Sequence, residues 1–147
     1  MIVDDKDILI LDKLKHDGRM STADIAREIR LPRVTIHERI KRMRERGIIR
    51  KFSVVLDYDR LELPIVAFVL VSYLPGQTSQ RSLARQIASF PNVYEVFLVA
   101  GEWDLLLKVR GKSMEEIGEL VIDRLRSLPG VGRTMTMSSF SRVKEEV

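Results

Sequence analysis

Apolar positions recur at helical spacing up to about residue 45 and in a mixture of strand and helix spacings beyond it, which predicts two differently built halves. The first helix runs from about Asp4 to His16, with Ile10, Leu11 and Leu14 on its inner face and aspartates in its first turn, where the dipole favours them. Asp17-Gly18 ends it, Gly18 being free to take the left-handed conformation that closes a helix. Ser21-Thr22-Ala23-Asp24 matches a capping box, so a second helix starts there with Ile25, Ala26 and Ile29 as its apolar face. Arg30-Leu31-Pro32 interrupts that face. Proline is tolerated in a first turn, which predicts a third helix from Pro32 with Ile36, Ile40 and Met43 as its buried stripe, ended by Arg46-Gly47.

Two helices joined by a turn of about three residues fit a helix-turn-helix, whose second helix lies in the major groove of DNA. The remaining faces of the third helix carry Arg33, Thr35, His37, Glu38, Lys41 and Arg42. Arg33, Thr35, His37 and Glu38 fall in its N-terminal half, where such helices meet base edges, and Lys41 and Arg42 fall where phosphates run. Ile48 to Leu56 reads as a strand, either a wing beside the helices or a connection onward, and Asp57-Tyr58-Asp59-Arg60 breaks it. A domain boundary is expected there, giving a helix-turn-helix domain over 1–56 and a second domain over 57–147.

The second half alternates strands with helices. Ile65 to Leu74 is a strongly apolar strand closed by Pro75-Gly76, and Gln80 to Phe90 a helix with Leu83, Ile87 and Phe90 on one face. Val93 to Ala100 and Leu105 to Val109 form a hairpin across the turn Gly101-Glu102-Trp103-Asp104. Ser113 caps a helix with Ile117, Leu120, Val121, Leu125 and Leu128 inward, Pro129-Gly130 ends it, and Val131 to Phe140 closes the sheet. The order strand-helix-strand-strand-helix-strand is the ferredoxin-like βαββαβ arrangement, so the fold class is α+β with an N-terminal winged-helix-like domain. Near-continuous runs such as Ile65 to Val71 and Leu105-Leu106-Leu107 predict that both sheet faces are buried, the uncovered one by a second copy in a homodimer.

Charge sharpens this picture. Between Arg30 and Lys51 nine basic residues face only Glu38 and Glu45, a segment at +7 in a chain of +4, which favours a polyanion partner. The 147 residues are 45% hydrophobic and 31% charged, and contain no cysteine, which fits a reducing cytoplasm. The acidic N-terminus lacks the pattern of a signal peptide, and the longest apolar run, Ile65 to Val71, is far short of the ~20 residues that span a bilayer, so no membrane partner is expected. His16 and His37 have no partner at ligand spacing, and there is no nucleophile–base set and no Gly-rich phosphate loop. No metal, no cofactor and no enzymatic activity are therefore expected. Met114, Met135 and Met137 read as packing residues.

Asp7 through Leu14, "GRMSTADIAREI", "RIKRMRERGII", "GEWDLLLKVRG" and "LPGVGRTMTMSS", in that order over nearly the whole chain, together resemble the Lrp/AsnC (feast/famine) transcription regulators. The resemblance implies an N-terminal helix-turn-helix, a ferredoxin-like ligand-sensing domain, dimers and often octamers built through that domain, and amino-acid effectors. It places the effector between sensing domains of neighbouring subunits, near the turn that here reads Gly101-Glu102-Trp103-Asp104. Gly101 would permit close backbone approach, Asp104 would hold an ammonium group, and Thr134, Thr136 and Ser138 would offer three hydroxyls from one strand face. The plainer alternative is that Asp104 caps the turn and the hydroxyls face water. Arg30 stands where a Gly or similar turn residue is common, Pro32 where a capping Ser is common, and Glu62 where a Gly often precedes the apolar strand. In a left-handed turn Arg30 would cost about 1 kcal/mol.

The expected function is that of a sequence-specific DNA-binding transcription regulator whose occupancy responds to a small molecule such as an amino acid. Two other classes share the architecture or the charge. A sirohaem decarboxylase of related architecture would need no basic recognition helix, and a chromatin-like architectural protein would bind DNA with little regard to sequence.

Overall fold

The computed structural model describes residues 3–145, which divide into two compact units between Leu56 and Asp57.

The first unit holds α1 (Asp5–His16), α2 (Thr22–Ile29) and α3 (Arg33–Glu45). Each of the first two starts at a side-chain cap that satisfies an orphan N–H. Asp4 accepts from the Asp7 N–H at 2.9 Å while Asp7 accepts from the Asp4 N–H at 3.3 Å, and Ser21 Oγ accepts from the Asp24 N–H at 3.1 Å. Ile10, Ile25, Ala26, Ile36 and Met43 form the core, with Leu11, Leu14, Ile29 and Ile40 packed around it. Full burial of one such side chain stabilises the fold by roughly 1.5–3 kcal/mol, so this small core suffices to fix three short helices.

Three local expectations change. α1 closes without a left-handed residue: Asp17 is extended at φ −140°, and its Oδ1 accepts from the Arg19 N–H at 2.9 Å, so a local side-chain turn replaces the expected role of Gly18. Pro32 is the cap before α3 rather than its first helical residue, with φ −57° and ψ 139° and no side-chain cap bond. The strand expected over Ile48 to Leu56 is absent, and with it the wing. Ile48 and Ile49 fold back onto the core, but residues 50–57 form no regular structure and Val54 and Val55 are exposed. β-branched residues favour a strand only where another strand pairs with them, and among the described residues none pairs with this segment.

The second unit is a four-stranded antiparallel sheet in the order β2-β3-β1-β4, built from β1 (Ile65–Tyr73), α4 (Gln80–Ala88), β2 (Val93–Leu98), β3 (Leu105–Gly111), α5 (Met114–Glu119) and β4 (Val131–Ser138). This is the expected ferredoxin-like topology. Ala67, Val69 and Val71 alternate along β1 onto the core side and meet Leu105, Leu107 and Val109 of β3 under Leu83 and Ile87 of α4. α5 runs into a π-helical turn, Leu120–Leu125, in which the Arg126 N–H bonds the Val121 carbonyl at 3.0 Å; the wider turn lets Leu120, Val121 and Leu125 all reach the core.

The other sheet face is only partly covered. Phe68 stands between Met137 and Lys108 and Leu70 between Met135 and Leu106, and Phe68, Phe97, Met135 and Met137 remain exposed. The expectation that Met114, Met135 and Met137 are packed is not met within one chain, because all three keep over two-fifths of their surface. One corner of the face is closed by Arg110, only 2% exposed, whose guanidinium lies 3.9 Å above the Tyr58 ring and pairs with Glu145. Burial pushes the Tyr94 hydroxyl beside it upward, while hydrogen bonds from Lys108 hold the Glu145 carboxyl below the usual range. No described helix is long and apolar enough to cross a membrane.

Candidate functional site

The turn between α2 and α3 sets the direction of α3. Arg30 sits in the left-handed region at φ 55° and ψ 48°, and the Leu31 N–H bonds the Ala26 carbonyl at 3.0 Å, a Schellman-type closure made without glycine. Ile36 and Met43 of α3 then face the core, which leaves Arg33, Val34, His37, Glu38, Lys41 and Arg44 exposed on the far side and Thr35 half-buried beside them. Arg33 Nε donates to Thr22 Oγ1 at 3.3 Å and so ties the start of α3 to the start of α2. The first turn of α3 has neither a capping side chain nor an acidic residue. The positive end of its dipole therefore adds to the charge of Arg33 instead of being neutralised.

Two other arginines of α3 point back to α1. Arg39 Nη1 lies 2.7 Å from Asp4 Oδ2 and 2.8 Å from Asp7 Oδ1, and Arg42 Nη2 lies 3.2 Å from Asp7 Oδ2. Asp7 is 1% exposed, so a buried carboxylate from the first turn of α1 fixes the third helix by two charge-assisted contacts. The Arg39 hydrogen bond, helped by the Asp7 N–H, holds the Asp4 carboxyl below the ordinary aspartate range, and the same carboxylates push the Arg39 guanidinium up. Of the six side chains expected at DNA, Arg33, His37, Glu38 and Lys41 are exposed and Thr35 is half-buried. Arg42 is divided between Asp7 and solvent, with 42% of its side chain exposed.

Two features of this surface lie outside the six residues expected at DNA. A hollow of about 460 Å³ at the far end of α3 is lined by His37, Lys41, Arg44 and Arg50 with Ile40, Glu45 and Ile49, and it gathers basic groups from the helix and from the chain after it. Arg44 and Arg50 add to the charge of the 30–51 segment, but residue order alone does not bring them together. Val34 shares one helical row with His37 and Lys41, a spacing of three and then four residues that could have marked it.

In the second unit, the residues expected at the effector do not all meet. Asp104 Oδ2 accepts from the Tyr73 N–H at 2.7 Å, and its main chain bonds Val71 at 3.1 Å and Val99 at 3.0 Å. Gly101 is exposed at φ 127° with nothing within 4 Å of where a Cβ would stand. Thr134, Thr136 and Ser138 register with Val71, Val69 and Ala67, whose side chains enter the core, so the hydroxyls lie on the helix-covered side of the sheet. Thr134 Oγ1 accepts from Arg126 Nε at 2.9 Å. Within one chain no hydrogen bond joins Asp104 to these hydroxyls among the described residues. The neighbour of the turn is Arg133, whose guanidinium lies 5.1 Å from the Trp103 ring and 3.4 Å from Glu102. Its position one residue before Thr134 gave no signal in sequence.

Comparison with known proteins places this geometry. Residues 3–44 match the family model of the AsnC-type helix-turn-helix domain and residues 66–147 that of the Lrp/AsnC ligand binding domain. An uncharacterized HTH-type transcriptional regulator of Pyrococcus horikoshii is 51% identical over 147 residues, 99% of this chain and 98% of that one. The HTH-type transcriptional regulator FL11 of Pyrococcus furiosus is 37% identical over 92% of this chain and 88% of its own length. Among solved structures, a transcriptional regulator of Neisseria meningitidis in complex with L-Met superposes with a TM-score of 0.92 at 26% identity, covering 98% of this chain and 94% of that one. LrpC of B. subtilis superposes with a TM-score of 0.86 at 25% identity, covering 99% and 100%.

Proposed function

The chain belongs to the Lrp/AsnC family of transcriptional regulators, and from that membership we propose that α3 reads a preferred DNA sequence and that a small amino acid bound at the second unit sets how often it does so. The observation that carries the first part is the outward row of α3, polar and basic, held in place by Asp7 from behind. Arg33, Thr35, His37 and Glu38 meet base edges, and Lys41 meets phosphate together with the exposed part of Arg42. Arg44 and Arg50 extend the phosphate track along the hollow beside Lys41.

The uncovered sheet face, with Phe68, Phe97, Met135 and Met137 exposed, is the surface by which two copies form a homodimer. A dimer presents two recognition helices, so the bound site is a rough palindrome with half-sites about one helical turn, or a multiple of it, apart. Asp104 bonds β1 while the hydroxyls lie on β4, on the far side of β1 from β3, which supports a site shared between subunits. A site between neighbouring subunits takes Gly101 and Asp104 from one chain and Thr134, Thr136 and Ser138 from the next, which one chain alone does not bring together. The L-Met complex of the Neisseria meningitidis relative supports an amino acid as the ligand class. The ligand changes DNA occupancy because it favours one assembly state over another. Such a regulator works where the DNA is, in the cytoplasm.

Two experiments test this. Repeated selection of duplexes from a random pool by the full-length protein should enrich one palindromic pattern; equal retention of all sequences would favour an architectural DNA-coating role instead. Calorimetric titration of the twenty amino acids should find at least one that binds the wild type and not Asp104→Ala. If none binds, or Asp104→Ala binds as well, the effector site is misplaced even where DNA binding stands.

A further inference from the structure

Val34 is 72% exposed in the N-terminal half of α3, the one apolar side chain among the exposed residues of that helix. Packing does not explain it, since the buried stripe of α3 is Ile36 and Met43 with Ile40 alongside. Helix propensity does not explain it either, because a β-branched residue is a poorer helix former than the alanine that would fit an exposed position equally well. Isolated exposed apolar residues are ordinary on protein surfaces. What separates Val34 is its place. It shares its row with His37 and Lys41, sits one turn before Glu38, and follows Arg33, whose Nε donates to Thr22 Oγ1 at the start of α2.

In the major groove, each A·T pair carries one apolar group on its edge, the C5-methyl of thymine, and side-chain methyls read it by contact. A valine in a helix is nearly confined to one χ1 rotamer, so its two methyls are presented in a fixed direction at little cost in entropy. Resting on the reading of α3 as the recognition helix, we infer that Val34 is a specificity-determining residue that selects thymine at one base position by burying its methyl against that of the base. The polar residues around it read hydrogen-bonding groups, and this position reads the absence of one.

Deoxyuridine pairs as thymine does and lacks only that methyl, so it isolates the contact. Full-length protein is first used to select its preferred duplex from a random pool, and each thymine is then replaced in turn by deoxyuridine. At one thymine per half-site, replacement should weaken wild-type binding about fourfold, the equivalent of losing about 0.8 kcal/mol of apolar burial at 1.4 kcal/mol per tenfold. Val34→Ala, which keeps only a methyl close to the backbone, should bind the thymine duplex more weakly and lose most of that discrimination, while Val34→Ile should keep it. Circular dichroism should show both variants folded, as expected for an exposed site. The inference is overturned if no replacement weakens the wild type, or if the loss persists undiminished in Val34→Ala. A pool that yields no preferred duplex overturns the recognition-helix reading and this inference with it, whereas a clear duplex without methyl coupling overturns this inference alone.

Discussion

Asp7 Oδ1 lies 2.8 Å from Arg39 Nη1, a contact that joins the first turn of α1 to the middle of α3 across 32 residues of sequence. Asp7 is buried and has Arg42 as a second partner, so its removal leaves two guanidinium groups short of a counter-charge, one of them with a side chain only 17% exposed. Breaking a buried pair from one side costs about 3–5 kcal/mol, and the lower end applies here because Asp4 still pairs with Arg39. Asp7→Ala should therefore destabilise the first unit by about 3 kcal/mol. Urea unfolding followed by circular dichroism checks it.

The same cluster makes a pH prediction with a definite sign. The folded Asp4 carboxyl titrates below the ordinary aspartate range because Arg39 and the Asp7 N–H favour its charged form. The α1 cap it provides is thus fully present above the unfolded-state value, near pH 4, and is lost as pH falls through the lower folded value. NMR titration of the side-chain carboxyl should find Asp4 depressed in the wild type and moved back upward in Arg39→Gln. An unchanged titration in the variant would separate Asp4 from Arg39.

How much of this is visible in residue order depends on how far apart the partners are. Helix starts at Ser21 and Ser113 are legible because a capping side chain and the N–H it accepts from lie three residues apart. The apolar rows of α3 and β1 are legible because burial imposes their period. The division of Arg42 between Asp7 and solvent is not, since its partner is 35 residues away. Residues 48–56 mislead for the same reason: a strand is a property of a pair, and composition describes one member. The π-helical turn at Leu120–Leu125 is likewise hidden, because its residues are apolar at spacings an ordinary helix would also accept.

Arg30 and Glu62 are the two non-glycine residues at positive φ among those described, at 55° and 59°, a region that glycine enters without strain. Glycine removes the clash between Cβ and backbone that costs about 1 kcal/mol in this region. Arg30→Gly should raise stability by up to about 1 kcal/mol, and Arg30→Val, β-branched in the same backbone, should lower it. Thermal unfolding midpoints in opposite directions are expected.

Trp103 is the chain's single tryptophan and lies in the turn next to Asp104, with the Arg133 guanidinium over its ring. An amino acid that binds at this turn should change the tryptophan emission, with the same midpoint as calorimetry. Arg133→Ala should alter the starting emission whether or not a ligand binds, and Asp104→Ala should abolish the titration. Emission that never responds to any of the twenty amino acids would count against the turn as the site.

The proposed division of α3 between base edges and phosphates is checked by comparing Arg33→Ala with Lys41→Ala on the selected duplex and on random DNA, across a series of salt concentrations. Arg33→Ala should lose roughly 1–3 kcal/mol on the selected duplex and little on random DNA, relaxing preference at one base position. Lys41→Ala should weaken both duplexes alike and reduce the salt slope by about one. Equal losses on both duplexes for Arg33→Ala, or an unchanged salt slope for Lys41→Ala, would contradict it.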